Sequence, residues 1–282
     1  MDITISIVTY NTRDLLKRCL KSIIRHTKGV SFEVIVVDNA SVDGTIEMVK
    51  KEFPQVKLIA NKSNKFFAKA NNQAFKKAKG TYILILNSDT YFVDNSIKKM
   101  FDYMEQNPKV GACDGIEVYE DGNIMDSGST FSTPLIDFYE LSWFGTRMAN
   151  KKMINTYRIS NKKRTETFSI DVGCDAFLMV PKKVIEKIGG YDDRFDLYYT
   201  ENDLCLRIKK LGFVIMHFAG AKVVHKVSAS VASMGWRKTD IYYNDLLRYY
   251  QKHGYKITGM ALFFLLKFEE SVFQIRDKLK LR

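Results

Sequence analysis

Apolar residues along this chain fall in short runs that stop abruptly at polar side chains. Ile3 to Thr9 is largely β-branched and gives way to Tyr10-Asn11; Phe32 to Val37 gives way to Asp38-Asn39-Ala40-Ser41; Tyr82 to Leu86 gives way to Asn87-Ser88-Asp89. Such short apolar runs predict buried strands. Between them the period becomes helical: Leu15, Leu16, Cys19, Leu20, Ile23 and Ile24 share one face, with Lys17, Arg18, Lys21 and Arg25 opposite. Asp43-Gly44-Thr45 opens a second helix through Met48 and Val49, and Val56 to Ile59 is a third strand. After the polar turn Asn61 to Asn64, a helix carries Ala68, Ala70, Ala74 and Phe75, closed by Gly80. Strand and helix alternate over the first 90 residues. The expected fold class is therefore α/β, a doubly wound, mostly parallel sheet flanked by helices.

Farther on, Ile97 to Met104 reads as a helix and Val110 to Val118 as a strand region, while residues 119–170 read as irregular. That stretch holds Phe138, Tyr139, Trp143 and Phe144 beside the basic runs Lys151-Lys152 and Lys162-Lys163-Arg164. It reads equally as a surface insertion with solvated lysines or as a loop facing substrate. Val172 to Val180 is apolar, and a helix over Val184 to Ile188 ends at Gly189-Gly190. Glu201 and Asp203 open a helix with Leu204, Ile208 and Leu211; Phe213 to Met216 is a strand, and a second apolar run, Ala221 to Val224, delivers His225. From Trp236 onward there are ten Lys/Arg against five Asp/Glu, with helices expected over Asp240 to Tyr250 and from Ile257 through Phe268 toward the basic end Lys278 to Arg282. The division expected is a catalytic unit over 1–235, its halves 1–95 and 96–235 binding donor and acceptor, and a helical extension over 236–282.

In an open α/β sheet, ligands bind beyond the carboxyl ends of the strands. The polar ends at Tyr10-Asn11, Asp38-Asn39 and Asn87-Ser88-Asp89 then face one crevice. A carboxylate such as Asp89 among small polar neighbours suits a hard divalent cation that also touches phosphates; alone, the same triplet is an ordinary strand-to-helix turn. Glu201 and Asp203 in a first helical turn are favoured by the helix dipole. Residues at i and i+2 do not share a helix face, so the functional reading gives the general-base role to one of them only. A single histidine is more often structural than a ligand, though His225 arrives at the end of an apolar run, as the crevice residues do.

The net charge of +12 admits nucleic acid, anionic lipid or a phosphorylated substrate. No nucleic-acid reading module is recognisable, so nucleic acid is not expected as a partner. GxGxxG and GxxxxGK[ST] are absent, which weighs against a dinucleotide oxidoreductase and a P-loop enzyme. Cys19, Cys113, Cys174 and Cys205 lack CxxC spacing and read as reduced core thiols, pointing to the cytoplasm. The first residues enter a strand with no charged leader, and no apolar run reaches the roughly 18 residues of a membrane span. The basic C-terminal segment is suited to the inner face of a membrane or to a second copy in a homodimer.

Taken in order, these pieces resemble family-two inverting glycosyltransferases of the GT-A type, in their bacterial rhamnosyltransferase-like branch. The resemblance is carried by Ser6 to Asn11, Val36 to Thr45, Asn61 to Asn72, Leu86 to Asp89, Gly189 to Phe195, Glu201 to Arg207 and Val223 to His225, and spans roughly residues 3–230. It implies a nucleoside-diphosphate sugar donor, dTDP- or UDP-linked with rhamnose first, and a glycan or lipid-linked saccharide acceptor. It implies that Thr9, Tyr10 and Asn11 line the base pocket. Asp38 would bond base or ribose with Asn39 beside it; Asn64, Lys65 and Asn72 would lie near ribose and diphosphate. Asn87, Ser88 and Asp89 stand at the family's DxD-like motif, with Asp89 and His225 as ligands to Mg²⁺ or Mn²⁺. Glu201 falls at the catalytic base.

Three departures stand out. Asn87 replaces the first acid of the DxD-like motif. Phe66 stands where Asn-x-Gly-Phe has glycine, which would alter the backbone if that position needs positive φ. Glu201, one methylene longer, replaces aspartate. A fold that has lost turnover and serves as a membrane scaffold is the alternative these departures leave open.

Overall fold

The computed structural model describes residues 1–226 and 237–280. The sequence boundary of the C-terminal extension and the last two residues of its basic end lie outside the described residues. The first half is built from β1 (Ile3–Thr9), α1 (Arg13–His26), β2 (Phe32–Asp38), α2 (Thr45–Glu52), β3 (Lys57–Ala60), α3 (Phe66–Phe75) and β4 (Tyr82–Asn87). β3, β2, β1 and β4 lie side by side and all pair in parallel. β2, β1 and β4 are buried on both faces, while β3 is a part-exposed edge strand: in β4, Leu84 and Leu86 join the core under α1, while Ile83 and Ile85 join the core on the other side. That two-sided burial is why the runs are continuous and not alternating.

The run of parallel pairings is interrupted at β4. The chain continues through β5 (Thr90–Tyr91), α4 (Ser96–Gln106) and β6 (Val110–Val118), and later through β7 (Phe168–Ile170), β8 (Phe177–Pro181), α8 (Lys182–Ile188), α9 (Thr200–Lys210) and β9 (Val214–His225). β8 inserts antiparallel between β4 and β6, and β9 runs parallel to β6 with β5 and β7 antiparallel to it. β9 joins the two short runs read from sequence into one strand, with a register irregularity opposite Gly115/Ile116. α8 stops at Gly189 (φ 78°), as the sequence signal implied.

Residues 119–170 are not irregular throughout. They hold α5 (Pro134–Leu141), α6 (Trp143–Met148) and α7 (Lys151–Tyr157). The start signals are present: Thr133 before Pro134, Ser142 and Asn150, whose side chains each accept a first-turn N–H. Three short helices without long apolar periodicity were masked by the surrounding glycines and polar residues. Arg164, read with the solvated basic run, is buried, and its guanidinium donates to the carbonyls of Arg158 and Ile159.

The chain ends in α10 (Arg237–Lys252) and α11 (Lys256–Lys280). Leu246, Tyr249 and Tyr250 of α10 and Leu262 and Leu266 of α11 form a third core with Phe195 and Tyr199, the residues that lead into α9. Among the described residues no helix is long and apolar enough to cross a membrane.

Candidate active site

Strand register levels the polar ends. Thr9 pairs with Asp38 and Val8 with Asn87, so β1, β2 and β4 stop at one height. A cavity of about 170 Å³ opens there. Thr9, Tyr10 and Asn39 form one side, Asn87, Ser88 and Asp89 the floor, and Asn64, Phe66 and Phe67 the wall from the start of α3. Asp175 and Leu197 close it from the second half of the chain. A buried hydroxyl chain, Thr9 Oγ1 to Thr12 Oγ1 (2.8 Å) to Ser88 Oγ (3.0 Å), ties the strand ends together.

Asn39 builds the wall. Its side chain donates to the Phe66 carbonyl (3.1 Å) and accepts from the Lys65 N–H (3.2 Å), while Asn64 Oδ1 accepts the Phe66 N–H (2.8 Å). These bonds hold Phe66 at φ 59°, the left-handed region that favours glycine. Asn11, Ala40 and Tyr199 also have positive φ, so the backbone is strained where β1 and β2 end and where α3 and α9 begin.

Some expected residues do not line the cavity directly. Asp38 is fully buried beneath it; Oδ1 accepts the Ser41 N–H, and Oδ2 has no partner among the described residues. Asn11 instead bonds across to the β2 end, accepting from Val42 N (2.8 Å). Lys65 is exposed and contributes its backbone. Asn72 is the clear correction. Its side chain donates to the Tyr191 carbonyl and to Asp193 and accepts from the Tyr191 N–H, and it lines a separate cavity behind α3. The reason is Gly190 (φ 77°): a Cβ there would stand 2.4 Å from Asn72 Oδ1, so the loop sits directly on that side chain.

Asp89 and His225 meet. Nε2 of His225 lies 3.3 Å from Asp89 Oδ1, and Nδ1 bonds Glu117 Oε2 at 2.7 Å. Burial alone would lower the imidazole pKa, but the carboxylates of Asp89 and Glu117 raise it to about 9. The donor set fits a divalent ion. A carboxylate oxygen and an imidazole nitrogen face each other, and Glu117 orients the ring from behind. Glu117, 2% exposed with Oε1 unpartnered among the described residues, is absent from the sequence reading. No group of three or more His, Cys, Asp or Glu among the described residues could hold an ion, so a substrate diphosphate and water would have to complete the ligand shell.

Glu201 opens α9, half-buried, next to a carboxyl that the sequence reading also missed. Thr200 Oγ1 contacts both Glu201 Oε2 (3.1 Å) and Asp175 Oδ2 (3.3 Å), and the Tyr191 hydroxyl donates to Asp175 (2.9 Å). Burial pushes both carboxyls up, Asp175 to about 8 with the Glu201 charge adding to the effect. Asp175 is the one of the two that lines the cavity. Asp203, two residues on, is instead tied to Arg207, Lys252 and His253, and its carboxyl lies below the usual range: burial raises it, but His253 and the two cations outweigh that. The pair thus divides as i, i+2 geometry requires: Glu201 shares the Thr200 hydroxyl with Asp175, and Asp203 turns toward α10.

Comparison with known proteins bears on this crevice. The sequence profile of glycosyl transferase family 2 matches residues 4–189. An N-acetylglucosaminyl-diphospho-decaprenol L-rhamnosyltransferase of Mycobacterium tuberculosis (strain ATCC 25618 / H37Rv) is 24% identical over 231 residues, 77% of this chain and 74% of that protein. The solved mannosyltransferase PcManGT from Pyrobaculum calidifontis, in complex with GDP-Man and Mn²⁺, superposes with a TM-score of 0.61 at 17% identity, covering 93% of this chain and 69% of that one. GalNAc-T7 with UDP, GalNAc and Mn²⁺ gives 0.59 at 15% identity over 80% of this chain, which spans 44% of that longer one. The fold shared with these structures is the GT-A glycosyltransferase fold.

Proposed function

The chain belongs to glycosyl transferase family 2, and from that premise we propose that it transfers a sugar from a nucleoside diphosphate to a hydroxyl of a lipid-linked or cell-surface glycan, inverting the anomeric carbon. The observation that carries the reading is the convergence of Thr9, Asn39, Asp89 and Asp175, from four separate parts of the chain, on one cavity above the strand ends.

In this reading Thr9, Tyr10 and Asn39 hold the nucleotide, and the unpartnered Asp38 Oδ2 accepts a base N–H or ribose hydroxyl. Asp89 and His225 would hold Mg²⁺ or Mn²⁺, which when bound neutralises charge on the departing diphosphate. Glu201, supported by Asp175, takes the proton of the acceptor hydroxyl. The acceptor oxygen bonds to the anomeric carbon from the face opposite the leaving group, the carbon–phosphate oxygen bond breaks, and a nucleoside diphosphate departs. The mycobacterial relative, by its name an L-rhamnosyltransferase acting on a diphospho-decaprenol-linked sugar, supports rhamnose as the first sugar to try and a lipid-linked acceptor; dTDP is our first nucleotide to try, with UDP-hexoses next.

Thermal stability across dTDP-, UDP- and GDP-sugars, with Mn²⁺ or with EDTA, tests the proposal. One nucleotide should raise the melting temperature in Mn²⁺ and lose most of that effect in EDTA. Indifference to every nucleotide in both conditions would overturn the donor site.

A further inference from the structure

α11 carries an apolar stripe with nothing packed on it among the described residues. Ile257, Met260, Phe264, Phe268, Val272 and Ile275 follow one another at spacings of three or four residues, all exposed, with Ile257 at 83% and Phe264 at 63%. The eighteen steps from Ile257 to Ile275 make about five turns, about 27 Å of one helix face. The opposite face, with Leu262 and Leu266, is the one in the core.

α6 is held against α11. Glu269 of α11 is buried and accepts from Ser142 Oγ, Trp143 N and Phe144 N, which pins the start of α6 against α11. Trp143, Phe144 and Met148 of α6 are nonetheless exposed, Met148 at 69%. Arg147 stacks on Trp143 (3.6 Å), and Lys151 and Lys152 follow, both exposed. From Trp143 to Lys152 the chain holds three Lys/Arg and no Asp/Glu. On α11 itself Lys256 and Arg276 flank the stripe.

We propose that the α6–α11 face is a docking surface for an anionic lipid bilayer, on which the protein lies without crossing it. The charge selects this occupant over a second copy. Two such faces brought together would oppose basic flanks on a chain of net charge +12, whereas anionic headgroups complement them. A tryptophan, phenylalanines and arginine around an apolar stripe are the groups that settle at the headgroup boundary. The face also reaches the candidate site. α5, packed on α11, bears Asp137, which accepts from the hydroxyls of Tyr199 and Tyr250, and Tyr199 immediately precedes Thr200 and Glu201. The inference stands on this surface and holds whichever sugar is transferred.

Vesicle flotation tests it, with phosphatidylcholine alone or mixed with phosphatidylglycerol. The protein should float with the mixed vesicles and not with phosphatidylcholine alone, and high salt should release it. F264S/F268S should lower partitioning about tenfold or more. Because both rings are exposed, its melting temperature and its nucleotide-sugar thermal shift should be unchanged, which separates this test from that of the donor site. In a Trp236→Phe background Trp143 is the remaining tryptophan, and its emission should shift to the blue on anionic vesicles. Flotation without that shift, or no flotation, would overturn the proposal. So would a dimer by sedimentation that the serine variant dissociates, which would make the face a contact between copies.

Discussion

Asp175 and Glu201 share a single hydroxyl. Thr200 Oγ1 lies within hydrogen-bond reach of both carboxyls, and a hydroxyl carries one proton. The arrangement is fully satisfied when one carboxyl of the pair is itself protonated, which is the state that burial and mutual repulsion favour.

The first expectation concerns pH. In the proposed mechanism Glu201 acts as base only when its proton is lost, and its folded pKa is raised by burial. The acid limb of kcat/KM should therefore lie above the ordinary carboxylate value of about 4.3. D175N uncouples Glu201 from its partner and should change the position of that limb, while E201Q should cut turnover ~10²–10⁴-fold with donor binding retained. Stability gives an independent sign. A carboxyl with a raised folded pKa stabilises fully below its unfolded value, and that contribution is lost as pH rises through the folded one. The melting temperature of D175N relative to the parent should thus climb between pH about 4 and about 8. An unmoved limb would remove Asp175 from the pair.

Metal-dependent donor binding should rest on residues from three strand regions. D89A should abolish the gain in nucleoside-diphosphate affinity that Mn²⁺ provides, read by calorimetry without turnover. E117Q keeps the ring contact but weakens its orientation, and should lower apparent Mn²⁺ affinity ~10–100-fold. Equal nucleotide affinity with and without Mn²⁺ in the parent protein would argue against Asp89 and His225 as ligands.

Phe66 offers a local test. A non-glycine residue in the left-handed region costs roughly 1–2 kcal/mol, and F66G relieves that while losing a half-buried ring from the cavity wall. The two effects on folding oppose each other, so the unfolding free energy should change by less than about 1 kcal/mol. Donor KM should rise. A large loss of stability with unchanged KM would show that the ring serves the core and not the donor.

What was legible in the sequence follows from the range of the interaction. Strand ends and their polar mouths were legible because a buried parallel strand writes itself as an uninterrupted apolar run. The positive φ at Phe66 was legible as a question, since a ring stood where a glycine belongs. Glu117 and Asp175 were not. Each sits inside or beside an apolar strand, and its meaning comes from a partner far along the chain: His225 is 108 residues from Glu117 and Thr200 is 25 from Asp175. Asn72 was misplaced for the same reason, because only the packed loop at Gly190 shows which cavity its amide serves.

Asp245 carries the last expectation. It is fully buried on α10, and its carboxylate accepts the backbone N–H groups of Asp196, Leu197 and Tyr198 at 2.9–3.1 Å, with Arg248 closing the set at 2.8 Å. Those three residues form the loop that supplies Leu197 to the cavity and runs through Tyr199, in the left-handed region, into Glu201. The C-terminal helices therefore hold the loop that leads into Glu201 from behind while α11 presents its apolar face outward. D245A leaves the loop N–H groups without their acceptor, and buried unsatisfied donors cost about 1–3 kcal/mol each. Urea unfolding should show a loss of about 3 kcal/mol. kcat should fall as well, because the loop sets the position of Glu201, and D245N, which keeps one acceptor oxygen, should recover part of both. An unfolding midpoint unchanged in D245A would mean that α10 packs beside the loop without holding it.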